Sequence, residues 1–510
     1  MEEDFALMKI ALALTAVLAA GPASAAFKCS ARGGAVWHEL RTEHFLLDTD
    51  LGSQRAAILL KQLETLHAME LQALVGEAVE IPGHLRVVAF ADPGDFRELA
   101  GSRYIGGYYL VTGFGPMIVI PVEGFEVNRE LVAHELAHYL SRFLFPLQPL
   151  WFAEGLAAFV ETVAAPPQES TPQLGSHITH GQRALNGGVG LMPSGYMGGF
   201  AFDARPVPVS ELLAWRGGED AASPGRLHLW SWLLYHYLWN KHGKALTDYQ
   251  RLLSDGAEPA AAWRAAMPQF DPAKPASLVA LDRALDEYRR AARYTFYTVK
   301  AEVTPKHTEA PLSSAKVHLI HLAARVAWPK SQKEADELYG AELDEALLED
   351  PGDADVLALR LDAAGKPDVE RLRKALSARP GDWRGWAGLG KWLPSGKEKE
   401  EAYRKAAALN PEGALTQNNL AWELVTSARA KEALPFANRA LDLAPWDPAI
   451  VDTLAHVAAA LGKCPEAFRL QRRAIATLEW QGQSADTFKK GLAEMEARCA
   501  GPVAGPASAR

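Results

Sequence analysis

The run from Leu131 to Glu161 constrains this chain more than any other, because it sets charged residues at fixed positions in two apolar helical segments: LVAHELAHYL, then WFAEGLAAFVE beginning at Trp151. On a helix, positions i and i+4 share one face, so His134 and His138 can hold one metal ion between them. Glu135 is aimed beside that ion rather than at it, where a carboxylate can take a proton from metal-bound water. A catalytic zinc site usually has three protein ligands and an open water position, and Glu154 is the natural candidate for the third. The fold must therefore bring two helices together over one point.

At 510 residues the chain is too long for one core and is expected to divide into two or three domains. Its 53 basic and 62 acidic residues give a net charge of -9 with no long basic run, which argues against nucleic acid as a partner. The N-terminus carries Lys9, the apolar run Ile10 to Ala20, Gly21-Pro22 and the small-residue site Ala23-Ser24-Ala25. Together these read as a secretory signal over residues 1–25, with Met8 as the start that suits it better, and the run is short for a membrane span. Cys29 follows Ala26-Phe27-Lys28, which lacks the pattern of a lipid-attachment cysteine. The expected location is outside the cytoplasm, periplasmic or secreted, with no stable membrane span after cleavage. In that oxidising setting Cys464 and Cys499 either pair across the last helices or remain buried apolar thiols.

Ahead of the histidines, Trp37 to Asp50, His84 to Phe90, and the pair Gly106 to Tyr109 and Met117 to Val122 read as strands, with a helical segment over Ser53 to Leu74. If the strand just before the metal helix lies at the sheet edge, its free backbone groups can pair with an extended peptide. Asn128 caps a helix over Arg129 to Arg142 that ends at Phe145-Pro146, and Trp151 to Thr162 makes the next. Residues 165–225 are rich in Gly, Pro, Ser and Thr and read as loops over the site; helical periodicity resumes at Leu227 to His242. His38, His44, His177, His180, His236 and His242 lack the i,i+4 ligand spacing and read as structural.

Beyond a polar linker at 301–314, prolines recur at Pro351, Pro380, Pro411 and Pro445, at intervals of 29, 31 and 34 residues. These converge on the period of tetratricopeptide repeats, and Trp386, Leu389 and Gly390, then Leu420, Ala433 and Ala440, fall on the interior positions of that motif. About five repeats are expected over 315–480, an amphipathic capping helix over 481–500, and a disordered tail over 501–510. Stacked helix pairs leave a concave groove, so a protein partner is the expected ligand of this part.

The pairing of HELAH with Trp151, Glu154, Gly155, Ala157 and Glu161 resembles the gluzincin metallopeptidases, in particular bacterial peptidase-MA-like members with a W-x-x-E-G-x-A helix after HExxH. That resemblance implies an α+β zincin-like domain over 27–300, a mixed sheet with a helical lower part, followed by the all-α repeat solenoid. It implies Zn2+ held by His134, His138 and Glu154, with Glu135 as general base toward a peptide or protein substrate. It also implies that Glu161, two turns after Glu154, orients a ligand histidine through its free ring nitrogen. Relatives commonly carry a Tyr three residues before a Ser-Trp pair to steady the oxyanion; Ser231-Trp232 is present, but His228 stands in the Tyr position, with Tyr235 two turns on as a substitute. A solvated Glu161 and a merely packed His228 are the plain alternatives. The GxMEN signature of aminopeptidase N is absent, so its recognition of an N-terminal amine does not carry over. Two other functions remain open: a binding scaffold with a structural or vestigial zinc, and hydrolysis of a non-peptide bond.

Overall fold

The computed structural model describes residues 34–500 apart from 76–78, 103–104, 124–127, 165–172, 176–189, 192–200, 203–204, 218–223 and 292–296. The expected signal, His177, His180 and the tail lie outside these residues. Among the described residues, no helix is long and apolar enough to cross a membrane. The chain divides into two units, residues 1–345 and 346–510.

The first unit is built on a six-stranded mixed sheet. Its strands are β1 (His38–Arg41), β2 (Phe45–Thr49), β3 (Leu85–Phe90), β4 (Tyr108–Thr112), β5 (Gly115–Pro121) and β6 (Thr308–Pro311), in spatial order β6-β1-β2-β3-β5-β4. The β2–β3 and β3–β5 pairs are parallel and the others antiparallel. Alternation decides the two faces. Val87, Ala89, Ile118 and Ile120 face α1 (Ser53–Val75) and α3 (Arg129–Leu144), whereas Val88, Phe90, Met117 and Val119 face the other side. That other side is covered by α2 (Pro93–Ala100) and by a late helix, Ser314–Ala324, through Phe96, Leu99, Val317 and Ile320.

Two boundaries differ from the sequence reading. The segment expected as a linker contains β6, which pairs with β1 from Thr308 opposite Arg41 to Pro311 opposite His38. Ser314–Ala324, expected to open the repeats, packs on the sheet instead. The strand TEAP is exposed at all four residues, so it joins through backbone bonds that leave no apolar pattern in sequence. The strand immediately before the metal helix is also not the edge: β5 lies between β3 and β4, and β4 is the outer strand.

Below the sheet, α4 (Leu150–Val160) and α5 (Pro224–Lys241) form a helical layer whose core holds Trp151, Phe152, Trp232, Tyr249 and Trp263. Asn128 caps α3, its side chain accepting from the Leu131 N–H at 3.1 Å. Gly155 permits the close crossing of α4 and α5: a Cβ there would stand 2.5 Å from the Ser231 carbonyl oxygen.

Among its described residues the second unit has helices and no strand. Four hairpins follow one another: Ala354–Ala363 with Val369–Ala378, Trp383–Trp392 with Lys397–Leu409, Ala414–Thr426 with Ala430–Leu443, and Pro448–Ala460 with Cys464–Trp480. A last helix, Asp486–Ala500, places Met495 against the core of the final pairs. Their interfaces are small and repetitive, with Ala433, Ala437, Ala455, Ala458, Ala467 and Ala474 between Leu420, Leu424, Leu454 and Leu470. Cys464 and Cys499 are joined as a disulfide with Cα atoms 6.1 Å apart, tying the last helix to the one before it.

Candidate metal centre

The centre assembles where α3 crosses α4. His134 Nε2 and His138 Nε2 lie 3.0 Å apart, one turn from each other on the face of α3 that meets α4. Glu154, on the first turns of α4, brings Oε2 to 3.3 Å from His134 Nε2 and 3.5 Å from His138 Nε2. From α5, His228 Nε2 reaches the same oxygen at 3.6 Å. That oxygen is buried and, among the described residues, makes no hydrogen bond. Three imidazole nitrogens thus surround one carboxylate oxygen at distances too long for good hydrogen bonds, and this donor set suits a borderline divalent cation such as zinc. His134, His138 and Glu154 each offer one ligand atom within 4.8 Å of the others.

Electrostatics agree with a site shaped for positive charge. Burial disfavours the charged Glu154 carboxylate, but the imidazoles of His228, His138 and His134 hold it well below its ordinary range. Burial likewise opposes a charge on His134, yet Glu154 and Glu161 push it up to about 10. A cation bound at Nε2 would compete with a proton for that nitrogen.

Glu161 lies in the 3-10 turn Glu161–Ala164 that follows α4, with Oε2 2.8 Å from His134 Nδ1. A hydrogen bond from Nδ1–H to this carboxylate fixes the ring so that Nε2 faces Glu154. Glu135 points from α3 toward the outer strand, where its Oε2 accepts the Tyr109 backbone N–H at 2.8 Å. Burial pushes its carboxyl above the ordinary range, against the pull of His134 and His138. A carboxylate so placed binds a proton nearer neutral pH than a solvated one, which suits proton transfer.

Tyr235 is not part of this group. It is fully buried, its hydroxyl accepts from Gln250 Nε2 at 3.1 Å, and its ring packs on Phe152 and Phe159. Seven residues after His228 it keeps the same helix face but stands about 10 Å along the axis, where α4 offers aromatics instead of Glu154. His228 and Glu154 meet because their levels match; those of Tyr235 and Glu154 do not. His236 bonds the Tyr288 hydroxyl and the Gly175 carbonyl, each at 2.9 Å, within the core.

One group escaped the sequence reading. Glu70 of α1 is completely buried, and neither carboxylate oxygen has a hydrogen-bond partner. Burial, with Glu161 nearby, raises its pKa well above the usual range even though His134 pulls the other way. Its surroundings favour the neutral acid over the carboxylate. Its only sequence signal is a polar residue on the apolar face of α1, at i+6 from Glu64 and i+3 from His67.

No protein-family model matches the chain, and no curated protein matches its sequence. Among solved structures it is similar to a thermophilic TPR protein from Thermus thermophilus, at 17% identity and a TM-score of 0.27, over 36% of this chain and 97% of that one. A likeness of that depth settles no fold, and the helical-repeat character of the second unit rests on its own hairpins.

Proposed function

We propose that the first unit is a zinc-dependent peptidase of the gluzincin type, exported from the cytoplasm, and that the helical repeats of the second unit bind a protein partner. The observation that carries the reading is the buried Glu154 Oε2, without a hydrogen bond and facing the Nε2 atoms of His134, His138 and His228. His134, His138 and Glu154 would hold the zinc, which when bound polarises the scissile carbonyl and acidifies water.

The remaining work falls to side chains and backbone of this chain. Glu135, steadied by the Tyr109 N–H, takes a proton from the attacking water as its oxygen adds to the carbonyl carbon. The same carboxylic acid then gives that proton to the amine nitrogen as the C–N bond breaks. His228 donates toward the carbonyl oxygen as negative charge develops. Glu161 keeps His134 in register throughout. Among the described residues the outer strand β4 has no strand partner on the side where its Tyr109 N–H meets Glu135, so an extended substrate can add there as a further strand.

The test is zinc content and cleavage of a mixed peptide library by the purified chain beside Glu135→Gln. Zinc retained in both, with activity in the variant lowered by about 10²- to 10⁴-fold, is the expected result. A zinc-loaded wild type that cuts no peptide sinks the reading, as does a variant as active as wild type.

A further inference from the structure

A second cluster of ligand-type residues lies elsewhere in the first unit, sharing no residue with the centre above. His44 is in the turn between β1 and β2, one residue ahead of Phe45, and α1 presents Glu64 and His67 three apart on one face. His44 Nδ1 lies 2.7 Å from Glu64 Oε2, and the His44 backbone N–H donates to Glu64 Oε1 at 3.2 Å. The rings of His44 and His67 face each other with centroids 4.1 Å apart and planes at 27°. One ligand atom from each of the three residues falls within 4.8 Å of the other two.

We infer that His44, Glu64 and His67 form a second site for a divalent transition-metal ion, structural in character, which clips the β1–β2 turn to α1. His67 is 3% exposed, so an ion held at its ring would be shielded from solvent on that side. Two imidazoles and one carboxylate select zinc or its late first-row neighbours over calcium or magnesium, which want oxygen. The His44 side chain is 31% exposed, so an ion can enter from solvent. Glu43 and Glu80 add negative potential around His44 beyond that of Glu64. The competing account is a packed histidine pair with no ion, and it makes the opposite prediction for stoichiometry.

The full chain is stripped with chelator, dialysed against Zn2+ or Co2+, and its bound metal counted beside His44→Ala and His138→Ala. About two equivalents in wild type and about one in each variant is the expected result. If wild type binds about one equivalent and only His44→Ala loses it, the second site stands and the zinc assigned to His134 and His138 falls. If His44→Ala binds as much metal as wild type, the second site is overturned. Should His44→Ala lose its circular-dichroism signature, Glu64→Gln keeps the volume and is expected to weaken one equivalent at least about tenfold; unchanged affinity there overturns the proposal as well.

Discussion

The two units differ in where their buried polar groups gather. In the first, titratable side chains face one another at buried positions: Glu154 with His134 and His138, Glu161 with His134, Glu64 with His44 and His318 with Glu342. In the second, buried polar side chains bond backbone as well as charged partners such as Arg379 beside Asp353 and Arg384 beside Asp355. Asp355 accepts the Gly385 N–H at 3.0 Å, Asp353 caps Val356 at 2.9 Å, and Gln471 donates to the Phe488 carbonyl at 3.0 Å. Ion pairs such as Arg429 with Glu432 lie at its surface, where such contacts contribute little. Side chains that bond backbone hold neighbouring helices in register, whereas titratable groups gathered around one point can be recruited by a ligand. The difference accords with the proposal of chemistry in the first unit and partner binding in the second.

The largest expected stability effect breaks this comparison most directly. Replacing Cys464 and Cys499 by serine opens a closed loop with a sequence separation of 35. The chain-entropy estimate for such a loop is about 3–4 kcal/mol. Hydrogen exchange is expected to speed across Pro448–Ala460 and Cys464–Trp480 while Leu85–Phe90 stays protected. Equal acceleration in both segments would mean that the units do not hold their stability separately.

A smaller effect sharpens it. In Gly155→Ala the new methyl meets backbone, the Ser231 carbonyl oxygen at 2.5 Å, so α4 and α5 must separate. Overpacking of this kind costs about 1–3 kcal/mol, and it withdraws His228 from Glu154, so activity is expected to fall further than stability does. Gly390→Ala in the second unit meets the Tyr403 ring at 2.6 Å, a side chain that can turn aside, and is expected to cost less. Melting midpoints of the two variants, with peptide cleavage for the first, decide the matter; a Gly390 variant less stable than the Gly155 one would reverse it.

What could be read from the sequence follows the same division. The meeting of His134, His138 and Glu154 was legible because these residues stand at helical spacing within thirty-one residues, and local periodicity survives into the fold. The hairpins were legible by their recurring prolines. The site at His44, Glu64 and His67 was not, since its first ligand comes from a turn and its others from a helix, so spacing along one element misses it. The strand Thr308–Pro311 was read as linker because an exposed edge strand needs only its backbone. The cystine stayed open because a Cα separation is a tertiary quantity.

The smallest effect concerns pH and a histidine far from either ligand set. His321 of the helix Ser314–Ala324 is 3% exposed, edge-on to Trp37 at 5.5 Å and to Phe90 at 5.4 Å. Burial lowers its pKa well below the ordinary value, and His318 and Arg325 add to the shift. A depressed folded pKa means that the unfolded chain takes up the proton first. The stability contributed by neutral His321 is then fully present above about pH 6.5 and is lost as pH falls toward the depressed value, at up to about 1.4 kcal/mol per pH unit. His321→Phe keeps a ring against Trp37 and Phe90 without the titration. The difference in urea midpoint between wild type and this variant, taken at about pH 7.5 and about pH 5, is expected to move in favour of the variant at the lower pH. An unchanged difference would show that His321 titrates alike in both states. Acid sensitivity would then fall to other groups, and the contrast between buried titratable pairs in the first unit and backbone-bound side chains in the second would lose its thermodynamic consequence.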